Sequence, residues 1–311
     1  PLPPISPSPR LPFLMHRNHA HTRPDLGHQR LWIWRGWRIR YTYLMPDNPE
    51  AQTATPLLLV HGFGASLEQW RHNLRALSHQ RPVYALDLLG FGGSQKPAAM
   101  LGAKVWQAQV FEFWQTVIGQ PVILMGHSLG ALVALTSAAG HPQMVKRLIM
   151  LTLPLARQEL VSGWLDRLSR GVESVFVSPL LLRPLFQVVR RPWFLRAVLR
   201  KVYRQPERVD DDLVAAFARP TGDRGAARTL CYLVRSRTTA DFSPTTHDLI
   251  EQLQIPILLL WGTEDTVIPI RWAEQIVPLN PQLTFQAIEN AGHCLYDELP
   301  EALHGAIADW L

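Results

Sequence analysis

The sequence predicts an α/β protein: a mostly parallel sheet with helices on both faces, interrupted by an inserted block of helices. Three observations predict it. Short, wholly apolar runs recur at residues 57–60, 83–86, 122–125, 148–151 and 257–261, as strands covered on both faces require. Helix-period patterns separate them, notably at 105–118 and 129–139, and strand alternating with helix is the pattern of a parallel sheet. From 155 to 243 the alternation stops and only helical stretches remain.

Taken in order, residues 1–27 are Pro-rich and then His/Arg-rich, and predict a poorly ordered tail. The sequence opens at Pro1, with Met15 a candidate natural start, and no uninterrupted apolar stretch here reads as a secretory signal. Residues 30–44 alternate apolar and basic side chains around Gly36 and predict an antiparallel hairpin at a sheet edge. The α/β core is expected over 28–154 and 244–311, with the helical lid inserted at 155–243. Lid helices are expected at 160–168, 181–189, 194–203 and 213–217. A last strand at 283–287 and a closing helix at 301–311 complete the core.

Composition bounds the class. A chain of 311 residues with 47% apolar side chains can bury one large core and still carry an inserted subdomain. No run of about 18 apolar residues escapes charge, so no transmembrane helix is expected. Two isolated cysteines, Cys231 and Cys294, predict no disulfide framework and fit a cytoplasmic protein. Cys294 is read as a space-filling residue. The net charge of +6 is unevenly placed. Residues 155–240 hold sixteen Lys/Arg against eight Asp/Glu, a local balance of +8, so the rest of the chain is slightly acidic. These cations interleave with apolar residues and match no nucleic-acid recognition module.

The chemistry is carried by residues that follow the predicted strands. Gly126-His127-Ser128-Leu129-Gly130 joins strand to helix in a turn whose glycines allow close backbone packing and lift Ser128 as a nucleophile. A serine hydroxyl needs a base. His293, in Asn290-Ala291-Gly292-His293 after the last strand, lies at the same carboxyl edge. Asp265, in Gly262-Thr263-Glu264-Asp265, is the expected acid that orients His293. Glu264 is the second choice, and His127 is read as structural. His61-Gly62-Phe63-Gly64 predicts an oxyanion hole made by the backbone N–H groups of Phe63 and Leu129. Gly62, Phe63 and Leu153 are expected to contact substrate. The glycines of residues 87–94 read as a structural loop, because no Lys-Ser/Thr helix start follows them. The spacing of His and Cys suggests no metal site, and no cofactor is expected.

Together the oxyanion block, the serine turn and the Asp265/His293 pair resemble the α/β-hydrolase superfamily from about Trp32 to Leu311, the lid excepted. The resemblance implies the α/β-hydrolase fold and a serine hydrolase; Ser128 argues against the dehalogenases and epoxide hydrolases, which use Asp there. The stretch Val83-Tyr84-Ala85-Leu86-Asp87-Leu88-Leu89-Gly90-Phe91-Gly92 resembles cyanobacterial and plastid chlorophyll dephytylases and pheophytinases. That likeness implies a small-molecule apolar ester as substrate, with phytol as the leaving alcohol. It also implies peripheral contact of the lid with a thylakoid membrane, which the basic and apolar interleaving of residues 175–203 suits. A carbon–carbon bond hydrolase, a cofactor-free perhydrolase and a non-catalytic binding protein remain as alternatives.

Overall fold

The computed structural model describes residues 25–156, 159, 179–237, 239 and 242–311. The predicted helix at 160–168 and residues 1–24 of the expected tail lie outside the described residues. Eight strands form one sheet: His28–Trp34 (β1), Trp37–Leu44 (β2), Leu57–Val60 (β3), Val83–Leu86 (β4), Val122–His127 (β5), Val145–Leu151 (β6), Ile257–Gly262 (β7) and Leu283–Ile288 (β8). Their order is β1-β2-β4-β3-β5-β6-β7-β8. β2 is antiparallel to β1 and β4, while β3 to β8 all run parallel.

The edge hairpin turns at Arg35 and Gly36, both at positive φ (49° and 83°), the backbone that matches the twist of two-residue hairpins. Strands β3, β5 and β7 are buried along their whole length. Successive side chains point to opposite faces, and the two apolar cores divide accordingly. Leu58, Val60, Leu124 and Leu259 belong to one; Leu57, Leu59, Ile123 and Leu258 belong to the other. The first core is closed by Ala103–Phe113 (α1), Leu129–Gly140 (α2) and the later helix Thr246–Glu251. α2 is buried from Leu129 to Ala138, which explains an apolar sequence on every side of the helix.

The inserted region, between β6 and β7, includes Pro179–Val189 (α3), Pro192–Val202 (α4), Asp211–Ala218 (α5) and Ala226–Arg237 (α6), followed by the Thr246–Glu251 helix (α7). The chain closes with Pro300–Ile307 (α8). Some boundaries differ from the expected ones. The predicted helix at 105–118 is α-helical only to Phe113; a π turn over Trp114–Ile118 follows, ended by Gly119 at φ 72°. The closing helix stops at Ile307 and continues as a 3₁₀ turn. α6 falls within the stretch expected to be helical but outside the four helices named there, because its inner face is half polar. Thr229 Oγ1 donates to the Pro97 carbonyl (2.6 Å) and Ser236 Oγ accepts from Leu101 N (3.1 Å), so apolar periodicity is weak there.

The glycine-rich loop after β4 folds around its own aspartate. Asp87 is fully buried and accepts from Leu67 N (2.6 Å), Gly93 N (2.6 Å) and Arg40 Nε (2.5 Å). A Cβ at Gly92 would lie 2.3 Å from that carboxylate. Among the described residues no helix is long and apolar enough to cross a membrane.

Candidate active site

Because β3 to β8 run parallel, the loops after β3, β5, β6, β7 and β8 all open at one edge of the sheet. Ser128 joins β5 to α2 with φ 52° and ψ −119°, a backbone region that an L residue keeps only when its surroundings over-determine it. The surroundings are tight. A Cβ at Gly126 would lie 2.2 Å from the Gly130 carbonyl oxygen, and one at Gly130 would lie 2.2 Å from that of Val60. Ser128 N donates to the Leu151 carbonyl (2.9 Å), and the Ser128 carbonyl accepts from Ala131 N (2.8 Å) and Leu132 N (3.1 Å). The serine side chain is left partly exposed at the tip.

The loop after β8 brings His293 to the loop after β7. His293 Nδ1 lies 2.8 Å from Asp265 Oδ2, and both residues are buried. Asp265 Oδ1 accepts from Val267 N and Ile268 N, each at 2.8 Å. The carboxylate is thereby fixed, and Nδ1 must donate to it. The Nε2 lone pair of His293 is then free to accept a proton. Glu264, the second choice, instead pairs with Arg204 at the surface.

His127 ties the histidine loop to the serine turn. Its Nε2 donates to the His293 carbonyl (3.0 Å), and the two rings are 4.7 Å apart. Its other nitrogen, Nδ1, faces Gly62, where a Cβ would come within 2.8 Å. Burial pushes the His127 pKa well below its ordinary value, so the ring stays neutral. His61 is likewise internal, bonded through Nδ1 to the Gly62 carbonyl (2.8 Å) and through Nε2 to Leu88 N (3.0 Å).

Leu129 opens α2, where the first N–H groups have no intrahelical acceptor. Across the edge, Gly62 N is held by Gln69 Oε1 (3.0 Å). Phe63, the next residue, is 42% exposed, and its ring stands edge-on to Phe91 at 5.4 Å. Leu153 is wholly buried within the apolar core. Residues 201–204 and 263–266 line a cleft of about 410 Å³ beside Asp265. Among the described residues no three His, Cys, Asp or Glu side chains gather as a metal site.

Sequence reasoning missed the frame behind these loops. Arg71 donates to both oxygens of Asp297 (2.8 and 3.1 Å), to Asp210 (2.7 and 2.9 Å) and to the Arg208 carbonyl (3.2 Å). Tyr203 Oη donates to Asp297 as well (3.0 Å). Glu298 accepts from the backbone of Arg204 (2.7 Å) and Gln205 (3.0 Å). The inserted segment is thus fastened to the stretch that follows His293. Cys294 sits within this frame, buried, its thiol pKa pushed up by that burial. Partners up to 226 positions apart leave no local sequence signal.

Residues 57–306 match the model of the alpha/beta hydrolase family. The chloroplastic pheophytinase of Arabidopsis thaliana is 24% identical over 312 residues, covering 88% of this chain and 64% of that protein. The (Lyso)-N-acylphosphatidylethanolamine lipase of Homo sapiens is 40% identical over 107 residues, 33% of this chain. The chain spans only 31% of that lipase in the match. Among solved structures, a membrane phospholipase A described as a bacterial virulence factor superposes with a TM-score of 0.70 at 27% identity. That superposition covers 93% of this chain and 88% of the other.

Proposed function

The chain belongs to the alpha/beta hydrolase family, and from that premise we propose that it is a serine esterase acting on a bulky apolar carboxylic ester. Ser128 is the nucleophile, His293 the general base and Asp265 the carboxylate that orients it. The observation that carries this reading is the 2.8 Å His293–Asp265 pair at the sheet edge where Ser128 occupies its strained turn.

In this mechanism His293 Nε2 takes the Ser128 proton as Oγ attacks the ester carbonyl carbon. The N–H groups of Phe63 and Leu129 hold the oxyanion, each contributing about 3 kcal/mol. His293 passes its proton to the leaving alcohol, and Ser128 is left acylated. Water then attacks the acyl-enzyme with His293 again as base, releasing the acid and restoring Ser128.

Relatives named as a pheophytinase, a lipase and a phospholipase A support an apolar ester. Within that class the reading commits to phytol as alcohol and a chlorophyll-like pigment as acyl part, with Gly62 and Phe63 contacting substrate; Leu153, expected there as well, is wholly buried in the core instead. The reading also carries the expectation of a lid over the site and of peripheral attachment to a thylakoid membrane. The test incubates separate samples of the wild type and Ser128→Ala with a fluorophosphonate probe and with chlorophyll a in detergent. Labelling at Ser128 and phytol release by the wild type alone are expected. Labelling elsewhere, or none, overturns the triad. Ser128-dependent cleavage of p-nitrophenyl esters without phytol overturns the pigment assignment alone.

A further inference from the structure

Ten large apolar side chains stand exposed among the described residues, and four of them, Leu185, Val188, Trp193 and Val198, fall within one short stretch of α3 and α4. Scattered exposed apolar residues are ordinary, but a gathered set marks an interaction surface. Each helix is anchored from beneath, α3 by Phe186 and α4 by Leu199, both buried. The outward faces are therefore fixed in direction. On α4 positions 192, 193, 197, 198, 200 and 201 are exposed, a broad outward face opposite the buried Leu199. Trp193 leads them, 65% exposed.

The charge on these two helices has one sign. Residues 179–202 contain six Arg/Lys and no Asp or Glu. Arg196 is spent on Asp211 and the Val209 carbonyl. Among the described residues no ion pair engages Arg190, Arg191, Arg200 or Lys201. Cations with no ion-pair partner among the described residues, bordering an exposed Trp and aliphatic side chains, match an anionic bilayer, whose interface takes aromatic rings and whose headgroups take cations. A second copy of this chain docking face to face would set the same cations against each other.

We propose that α3 and α4 form a docking surface for an anionic lipid membrane. Leu185, Val188, Trp193 and Val198 enter the interface, and Arg190, Arg191, Arg200 and Lys201 meet acidic headgroups. This deepens the esterase reading, and rests on it only for the purpose of the contact, which is to present a membrane-resident ester to the site.

The test is co-sedimentation of the full chain with sucrose-loaded vesicles of phosphatidylcholine, alone or with 30% phosphatidylserine. Turnover of a soluble p-nitrophenyl ester is measured on the same samples. The wild type is expected to bind the acidic vesicles in 0.1 M salt and to release them in 0.5 M. Each basic residue near an anionic surface is worth about fivefold in partition, so Arg190→Glu/Arg191→Glu is expected to bind at least about 25-fold less. Trp193→Ala is expected to weaken binding as well, and both variants keep wild-type turnover of the soluble ester. Equal binding to neutral vesicles, no binding, or variants that bind like the wild type overturns the surface. Self-association by sedimentation velocity that Trp193→Ala abolishes assigns it to a second copy instead. Loss of ester turnover in every protein, with vesicle binding intact, refutes the esterase reading and leaves the surface standing.

Discussion

Arg71→Met should cost this protein about 3–5 kcal/mol of stability, because it strands a buried carboxylate. The Arg71 and Asp297 side chains are 5% and 1% exposed, and two hydrogen bonds join them. Methionine keeps most of the apolar volume of the arginine stem but leaves Asp297, among the described residues, with the Tyr203 hydroxyl (3.0 Å) and the His72 ring (3.4 Å) alone. Removing one member of a buried ion pair typically costs the amount stated. At about 2 °C per kcal/mol for a chain of this size, the midpoint should fall by about 6–10 °C. Asp210, on the other side of the same guanidinium, is half exposed. Asp210→Ala removes a weak outer pair and the N-cap bond to Leu213 N (2.7 Å), together about 1–2 kcal/mol. Arg71→Met/Asp297→Asn should recover part of the loss, since no uncompensated charge is left. Urea unfolding followed by tryptophan fluorescence measures all three. Arg71→Met costing no more than Asp210→Ala, or a double variant that is simply additive, would refute the view that this buried pair fastens the inserted segment to the core.

Two further predictions follow from the serine turn and from the buried histidines. Gly130→Ala places a methyl 2.2 Å from the Val60 carbonyl oxygen. Backbone must move, so about 1–3 kcal/mol of stability should be lost together with esterase activity; a melting point and turnover equal to wild type would show that the turn is not the constraint described. Burial lowers the pKa values of His61 and His127 below the ordinary 6.5. As pH falls below about 6.5 the unfolded chain therefore takes up protons that the folded chain refuses, and stability is lost by up to about 1.4 kcal/mol per pH unit for each. Glu298, raised by burial from 4.5, opposes this nearer its own range. The urea midpoint should be lower at pH 5.5 than at pH 7.0, and a higher one would refute the assignment.

Much of the architecture was legible because burial on both faces leaves a plain mark. The runs at 57–60 and 83–86 coincide with β3 and β4, and β7 lengthens its predicted run by one residue, Gly262. β6 begins three residues before its apolar run. Lys146 and Arg147 interrupt the apolar run, yet ladder pairing to β5 begins at Val145. α6 carries little apolar periodicity within the stretch read as helical, since the hydrogen bonds Thr229 donates and Ser236 accepts do there what apolar contacts do elsewhere. At the site, the Asp265–His293 pair was reachable from the sequence because both follow strands of one parallel sheet. The role of His127 as a tie between Gly62 and His293 was not, since it depends on which way a buried ring points.

The sequence by itself determined which residues stand at the strand ends, because apolar runs, glycines and chain order are local properties. Only the tertiary structure decided what holds those ends in place. Arg71, the neighbouring Tyr203 and Asp210, and Asp297 converge from three separate stretches of chain, and Gln69 reaches back to Gly62. A buried charge demands partners wherever the fold can supply them. That demand is met in space rather than along the chain, so no spacing in the sequence announces it.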